Sequence, residues 1–128
     1  MLYLINVPLS IQVGKKKISL NLNVYRNLHY HLLNQAKINF KNEIKAQLNQ
    51  LLPISKCTLT YTFFFKDKRE RDISNYGSVI SKFFEDALVE LNILEDDNYN
   101  YIPEVTFKFG GIDKLNPRCE ITIGILND

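Results

Sequence analysis

The spacing of apolar positions changes several times along the chain, and each change marks an element. Residues 2–13 alternate loosely, with Leu2, Leu4, Leu9, Ile11 and Val13 apolar, and read as extended structure broken at Pro8. Gly14 followed by Lys15, Lys16 and Lys17 predicts a turn, after which Ile18-Ser19-Leu20-Asn21-Leu22 resumes the alternation. From Leu32 to Leu51 the period lengthens. Leu33, Ala36, Phe40, Ile44, Leu48 and Leu51 recur at threes and fours, with Lys37, Lys41 and Lys45 on another face, which predicts an amphipathic helix ending near Pro53. Thr58 to Phe65 is rich in Thr, Tyr and Phe and predicts a strand.

The clearest signal follows. Tyr76, Val79, Ile80, Phe83, Phe84, Ala87, Leu88 and Leu91 keep helical spacing without a miss, and Ser74 or Asn75 is placed to cap the start. Leu94 to Asp97 reads as a turn. Val105–Phe109 and Cys119–Ile125 then alternate as two strands, joined by Gly110-Gly111 and a polar loop ending at Pro117. The predicted order, β-(β)-α-β-α-β-β, is an α+β domain in which two helices pack on one face of a small mixed sheet. One domain spanning residues 1–128 accounts for the whole pattern, and a core of this size gains from pairing with a second copy.

Charge changes the picture more than composition does. The formal net charge is only +2, yet residues 1–71 carry 12 Lys and Arg against three acids, whereas residues 72–128 carry four against 11. Such a chain can attract a polyanion with one half and hold a divalent cation with the other; the plainer reading is a solvated surface whose charges segregate. Two cysteines, Cys57 and Cys119, both inside strand-like runs, are too few for a disulfide scaffold and point to a reducing cytoplasm. No apolar run is long enough to span a bilayer, and the apolar start has no basic segment before it, so neither a membrane span nor a secretion signal is expected.

Two acidic clusters flank the second predicted helix, Glu70 and Asp72 before it and Glu95-Asp96-Asp97 after it. Carboxylates at element ends can converge on a metal; equally, such clusters serve as caps and solubilising turns. A helix of about 17 residues is about 25 Å long. Its ends therefore come together only if the 92–97 loop folds back or a subunit interface intervenes. The basic half offers Lys15, Lys16, Lys17, Arg26, Lys66, Lys68, Arg69 and Arg71 as phosphate contacts, with Tyr25, His29, Tyr30 and His31 close behind as stacking groups or as ordinary surface residues. On helical spacing alone, Lys82 and Asp86 form a surface ion pair.

The segment from Arg69 to Asp97 resembles the RusA family of Holliday junction resolvases, small endonucleases of phages and prophages. The family's Arg-rich run is matched by Lys68, Arg69 and Arg71, and its first catalytic Asp by Asp72. Its helix is matched through Lys82 and Asp86-Ala87-Leu88, and its later acidic pair by Asp96-Asp97. Outside that block, Asn21 with Tyr25-Arg26 is similar to a segment the family places near DNA, and Asn116 to Ile121 to its closing strand. Two departures stand out. Ser74 occupies the family's second Asp position, and the stretch between Asp72 and Lys82 is four residues longer than the family spacing.

The resemblance implies a homodimeric endonuclease of branched DNA, such as a four-way junction, working in a bacterial cell. It implies Mg²⁺ or Mn²⁺ held by Asp72 and Asp97, with Asp96 as the alternative at the second position, and Lys82 neutralising charge at the reacting phosphate. In this chain the Asn75 side-chain carbonyl or the Ser74 hydroxyl could fill the gap, or Glu70, on the face of Asp72, could replace the lost carboxylate. Lys15, Lys16, Lys17, Tyr25, Arg26, Lys68, Arg69 and Arg71 would bind the DNA. The loss of a carboxylate at Ser74 keeps a second expectation open, a branched-DNA-binding protein that does not cut.

Overall fold

The computed structural model describes residues 1–126. Its elements are β1 (Leu2–Val7), β2 (Ser10–Val13), β3 (Lys16–Ser19), α1 (Leu22–Asn27), α2 (Tyr30–Leu48), β4 (Cys57–Phe65), α3 (Ile73–Glu90), β5 (Glu104–Ile112) and β6 (Arg118–Ile125). Four strands form a mixed sheet in the order β1-β6-β4-β5, in which β4 and β5 run parallel and the other pairs antiparallel. β2 and β3 make a separate hairpin whose two-residue turn uses Gly14 at φ 60°, a left-handed position that favours glycine. The expected α+β architecture is present.

Register explains the core. Ile5, Ile121, Tyr61 and Phe107 lie side by side across the four strands, as do Val7, Cys119, Phe63 and Phe109 in the next row. These rows face the helices, and their members on the two central strands, β4 and β6, are fully buried. The alternate rows carry Thr58, Thr60, Thr62, Thr122 and Glu120 on the opposite face, which is mainly polar at its centre, with Leu2, Leu4 and Phe64 as its apolar members. α3 packs on the apolar side through Phe84 against Tyr61 and Tyr76 against Phe63 and Phe65. α2 lies beside it, Phe40 meeting Phe83 edge-on, and ion pairs Lys41–Glu90 at 2.6 Å and Lys37–Asp86 at 3.5 Å bridge the two helices. Gly77 lets α3 approach β5, since a Cβ there would stand 2.5 Å from the Phe107 ring.

Several boundaries differ from expectation. α3 begins at Ile73, capped by Asp72 rather than by Ser74 or Asn75. α2 begins at Tyr30 because the His29 ring Nδ1 accepts the His31 N–H at 3.2 Å, which makes these histidines a helix cap and first turn, not loop residues. Residues 22–27 form a short third helix where extended structure was expected to end, its N-terminus capped by Asn21. β5 does not stop at Phe109; it runs through Gly110 and Gly111 to Ile112, with a bulge opposite Phe63/Phe64 and Gly111 at φ 145°. Asp86 pairs with Lys37 of α2, not with Lys82. Cys57 and Cys119 are free, buried thiols. No helix among the described residues is long and apolar enough to cross a membrane.

Candidate functional site

Between β4 and α3, residues 66–72 carry most of the chemistry singled out in the sequence, and the loop is tied into one shape. The Asp67 carboxylate accepts the Arg69 N–H at 3.1 Å and pairs with the Arg71 guanidinium at 2.8 Å. Arg71 also donates to the Asp67 and Arg69 carbonyls and lies over the Phe65 ring, 5.1 Å from its centroid. Hydrogen bonding from the Arg69 amide, with Arg71 beside it, holds the Asp67 carboxyl below the usual carboxylate range. Only 8% of the Arg71 side chain is exposed. Arg71 therefore organises the loop, and its charge is largely answered by Asp67, a correction to its expected role as a free phosphate contact.

This arrangement leaves Lys66, Lys68 and Arg69 pointing outward and sets Asp72 at the α3 N-terminus. There Asp72 Oδ1 accepts the Ser74 N–H at 3.0 Å, and the Asp72 carbonyl accepts the Asn75 N–H at 3.1 Å. A cleft of about 550 Å³ opens here. Lys68, Arg69, Glu70 and Asp72 give it a charged side; Ile73, Phe109 and Ile112 give it an apolar one. Capping engages one carboxylate oxygen of Asp72 and leaves the other available. Ser74 is exposed, and the Ser78 hydroxyl one turn on donates to its carbonyl at 2.7 Å.

The second acidic cluster does fold back. Ile93 and Leu94 are buried, both donate to the Leu88 carbonyl, and Ile54 donates to the Ile93 carbonyl, which pins the loop against the helix end. Asp96 is spent within the loop, accepting from the Asp97 N–H at 2.7 Å and the Asn98 amide at 3.1 Å. Asp97 comes to rest near Glu85 and Asp86, where partial desolvation, Asp96 and Asp86 push its carboxyl up from the ordinary value. From Asp72 to Asp86 is about 20 Å of helix. The expected ligands thus form two groups: Asp72 with Glu70, Ser74 and Asn75 at the start of α3, and Asp96-Asp97 beside its C-terminal half. Among the described residues no three Asp, Glu, His or Cys side chains stand close enough to hold one ion. As a single set the expected ligands do not fit one ion within one chain. Mg²⁺, however, commonly takes only one or two carboxylates, with water and substrate phosphate filling the rest.

Glu85 is a residue that sequence reasoning missed. It sits on α3 between Phe84 and Asp86, and its Oε2 accepts the hydroxyl of fully buried Tyr61 at 2.8 Å. Burial, opposed by the Tyr61 hydrogen bond and reinforced by Asp97 and Asp86, raises it from 4.5 to about 7. The only signal in the sequence was an acid amid Phe83, Phe84, Ala87 and Leu88. Because the folded form holds its proton more tightly than the unfolded chain, Glu85 stabilises the fold fully below pH 4.5, and that contribution is lost as pH rises through about 7. Glu85→Gln keeps an acceptor for Tyr61 without the charge. Urea denaturation is expected to find it more stable than wild type at pH 8 and equal to it near pH 4.5.

The expected DNA contacts are dispersed around this region. Lys17 reaches a second cleft together with Lys66 and Arg69. Lys15 and Lys16 sit exposed at the hairpin tip, Tyr25 is half-buried in α1, and Arg26 is exposed in its last turn. None of these four lines either cleft. Lys82 is exposed on α3, one turn before Asp86. Searches of known protein families and of curated protein sequences find no match to this chain.

Proposed function

We propose that this chain is a RusA-like, divalent-metal-dependent endonuclease that binds branched DNA as a homodimer and hydrolyses a phosphodiester at the junction. The observation that carries this reading is the cleft in which Asp72 stands beside Lys68 and Arg69, with the apolar wall of Phe109 and Ile112 opposite. Cations there bind the phosphate, the apolar residues take sugar or an unstacked base, and Asp72 lines the same space. A bound Mg²⁺ or Mn²⁺ supplies an activated water and stabilises charge at the phosphate. Asp72 would hold it, with Glu70, Asn75 or Ser74 as neighbouring donors. A second copy is the remaining route by which the Asp96-Asp97 pair reaches Asp72, and two-fold symmetry suits paired incisions at a four-way junction.

A second reading has its own observation. With Ser74 in place of a carboxylate and no three acids converging, the same cationic surface serves a protein that binds branched DNA without cutting it. Both readings require preference for branched DNA. Salt-titrated binding should find a synthetic four-way junction held at least about tenfold more tightly than linear duplex of the same length, with a steep salt slope for both. Equal, weak binding to the two DNAs would remove both readings.

A further inference from the structure

On the other side of the Arg69–Arg71 wall from Asp72 lies a second cleft of about 310 Å³, between the β2–β3 hairpin, the end of β4 and the first turns of α3. We infer that this cleft is a binding pocket for the phosphate of one unpaired nucleotide of a DNA strand, held by Lys17, Lys66 and Arg69. The inference rests on the DNA-binding reading above and adds a site to it. No carboxylate lines the cleft, and among the described residues none of these three cations has an acidic partner within ion-pair distance. Arg71, the fourth cation on the wall, is already matched by Asp67.

Two serine hydroxyls also line the cleft, those of Ser10 and Ser19, which are paired across the hairpin. The Ser19 oxygen accepts the Asn21 amide at 2.9 Å, which leaves its own proton free to be donated to an anion. Asn21 is fixed in turn because its side-chain Oδ1 accepts the Val24 N–H and caps α1. The half-buried Tyr76 adds an aromatic wall against which a base can rest, held edge-on to Phe65 at 5.2 Å. The volume equals about ten water molecules. That is room for one nucleotide, and with Tyr76 as a resting face for an unstacked base the fitting occupant is a strand that has left the helix, as at a crossover.

Two double variants test this: Lys17→Gln/Lys66→Gln inside the pocket, and Lys45→Gln/Lys108→Gln as a control that removes equal charge elsewhere. The probes are a five-residue oligothymidylate and a four-way junction. The pocket variant should bind oligothymidylate at least about tenfold more weakly, with a salt slope shallower by up to about 0.7, since the pocket holds one single-strand phosphate. The control should change less than about twofold with an unchanged slope. Equal losses in the two variants, or no binding of oligothymidylate by a wild type that binds the junction, would overturn the pocket and leave the DNA reading intact. Pocket-dependent oligothymidylate binding without preference for the junction over duplex would leave the pocket standing and overturn the branched-DNA reading.

Discussion

Replacing Asp72 with Asn is expected to slow metal-dependent incision of a four-way junction by about 10³-fold or more, roughly 4 kcal/mol of transition-state stabilisation. Asn caps a helix about as well as Asp, so the hydrogen bond to the Ser74 N–H survives and only the charge is removed. Thermal denaturation of the variant should stay within about 1 kcal/mol of wild type, and junction binding should persist, since Lys68, Arg69 and the second cleft are untouched. Gel-resolved incision in Mg²⁺ or Mn²⁺ reads the first effect, and a binding titration reads the second. Asp97→Asn separates the two acidic groups. Its loss matches that of Asp72→Asn if both serve one ion in the working assembly, and it is small if Asp72 serves alone. An Asp72→Asn protein that cuts as fast as wild type would remove Asp72 from the chemistry.

The largest effect on folding is expected from Phe63→Ala. Phe63 is fully buried at the centre of β4, and its ring lies 6.1 Å from Phe65, 6.3 Å from Phe107 and 6.5 Å from Tyr76. It therefore joins the central strand, the parallel edge strand β5 and the start of α3. Truncation loses both the transfer free energy of the ring and the contacts around the resulting cavity, about 3–5 kcal/mol. For a chain of this length that is a fall in melting temperature of roughly 10–20 °C. Phe63→Leu, closer in volume, should cost less than half as much. Comparable small losses from both would mean that the site behind the 66–72 loop collapses freely, and that the loop does not rest on a rigid base.

Much of this fold could be read from spacing because the strongest elements bury a single face. α3 shows its apolar stripe plainly, and β4 alternates without a break. The boundaries were harder because Asp72, Ser74 and Asn75 are all good caps within four positions, and only the backbone decides among them: Asp72 is extended at φ −90°, ψ 114°. α1 is six residues long and held by its Asn21 cap and packing on α3, which leaves too short a period to detect. Gly110-Gly111 reads as a turn, but Gly110 lacks the Cβ that would meet the Phe64 ring at 2.6 Å, so the strand continues past it. Spacing also says nothing of partners across the sheet. β5 and β6, consecutive in the chain, flank β4 instead of pairing with each other.

The candidate site was legible in part, for a related reason. Residue types identified Asp72, Lys68 and Arg69, and these share one cleft. Arg71 carries the same charge as its neighbours, yet Asp67 four residues back takes it into the loop, a pairing that chain order permits without specifying. Glu85 acquires its raised proton affinity from burial between α3 and the sheet, reinforced by Asp97 of the returning 92–97 loop and opposed by the hydroxyl of Tyr61, 24 residues away in the chain. Lys17 joins Lys66 and Arg69 only because the β2–β3 hairpin lies beside the end of β4. The last two depend on contacts distant in sequence.

In the proposed mechanism the cationic clefts present a branched DNA to Asp72, which supports its hydrolysis. End-labelled four-way junction incubated with the purified wild-type protein, with Mg²⁺, with Mn²⁺ and with chelator, tests it most directly. Paired, symmetry-related nicks near the branch point that require the metal are the expected result. A junction that is bound but left uncut with either metal would contradict the mechanism.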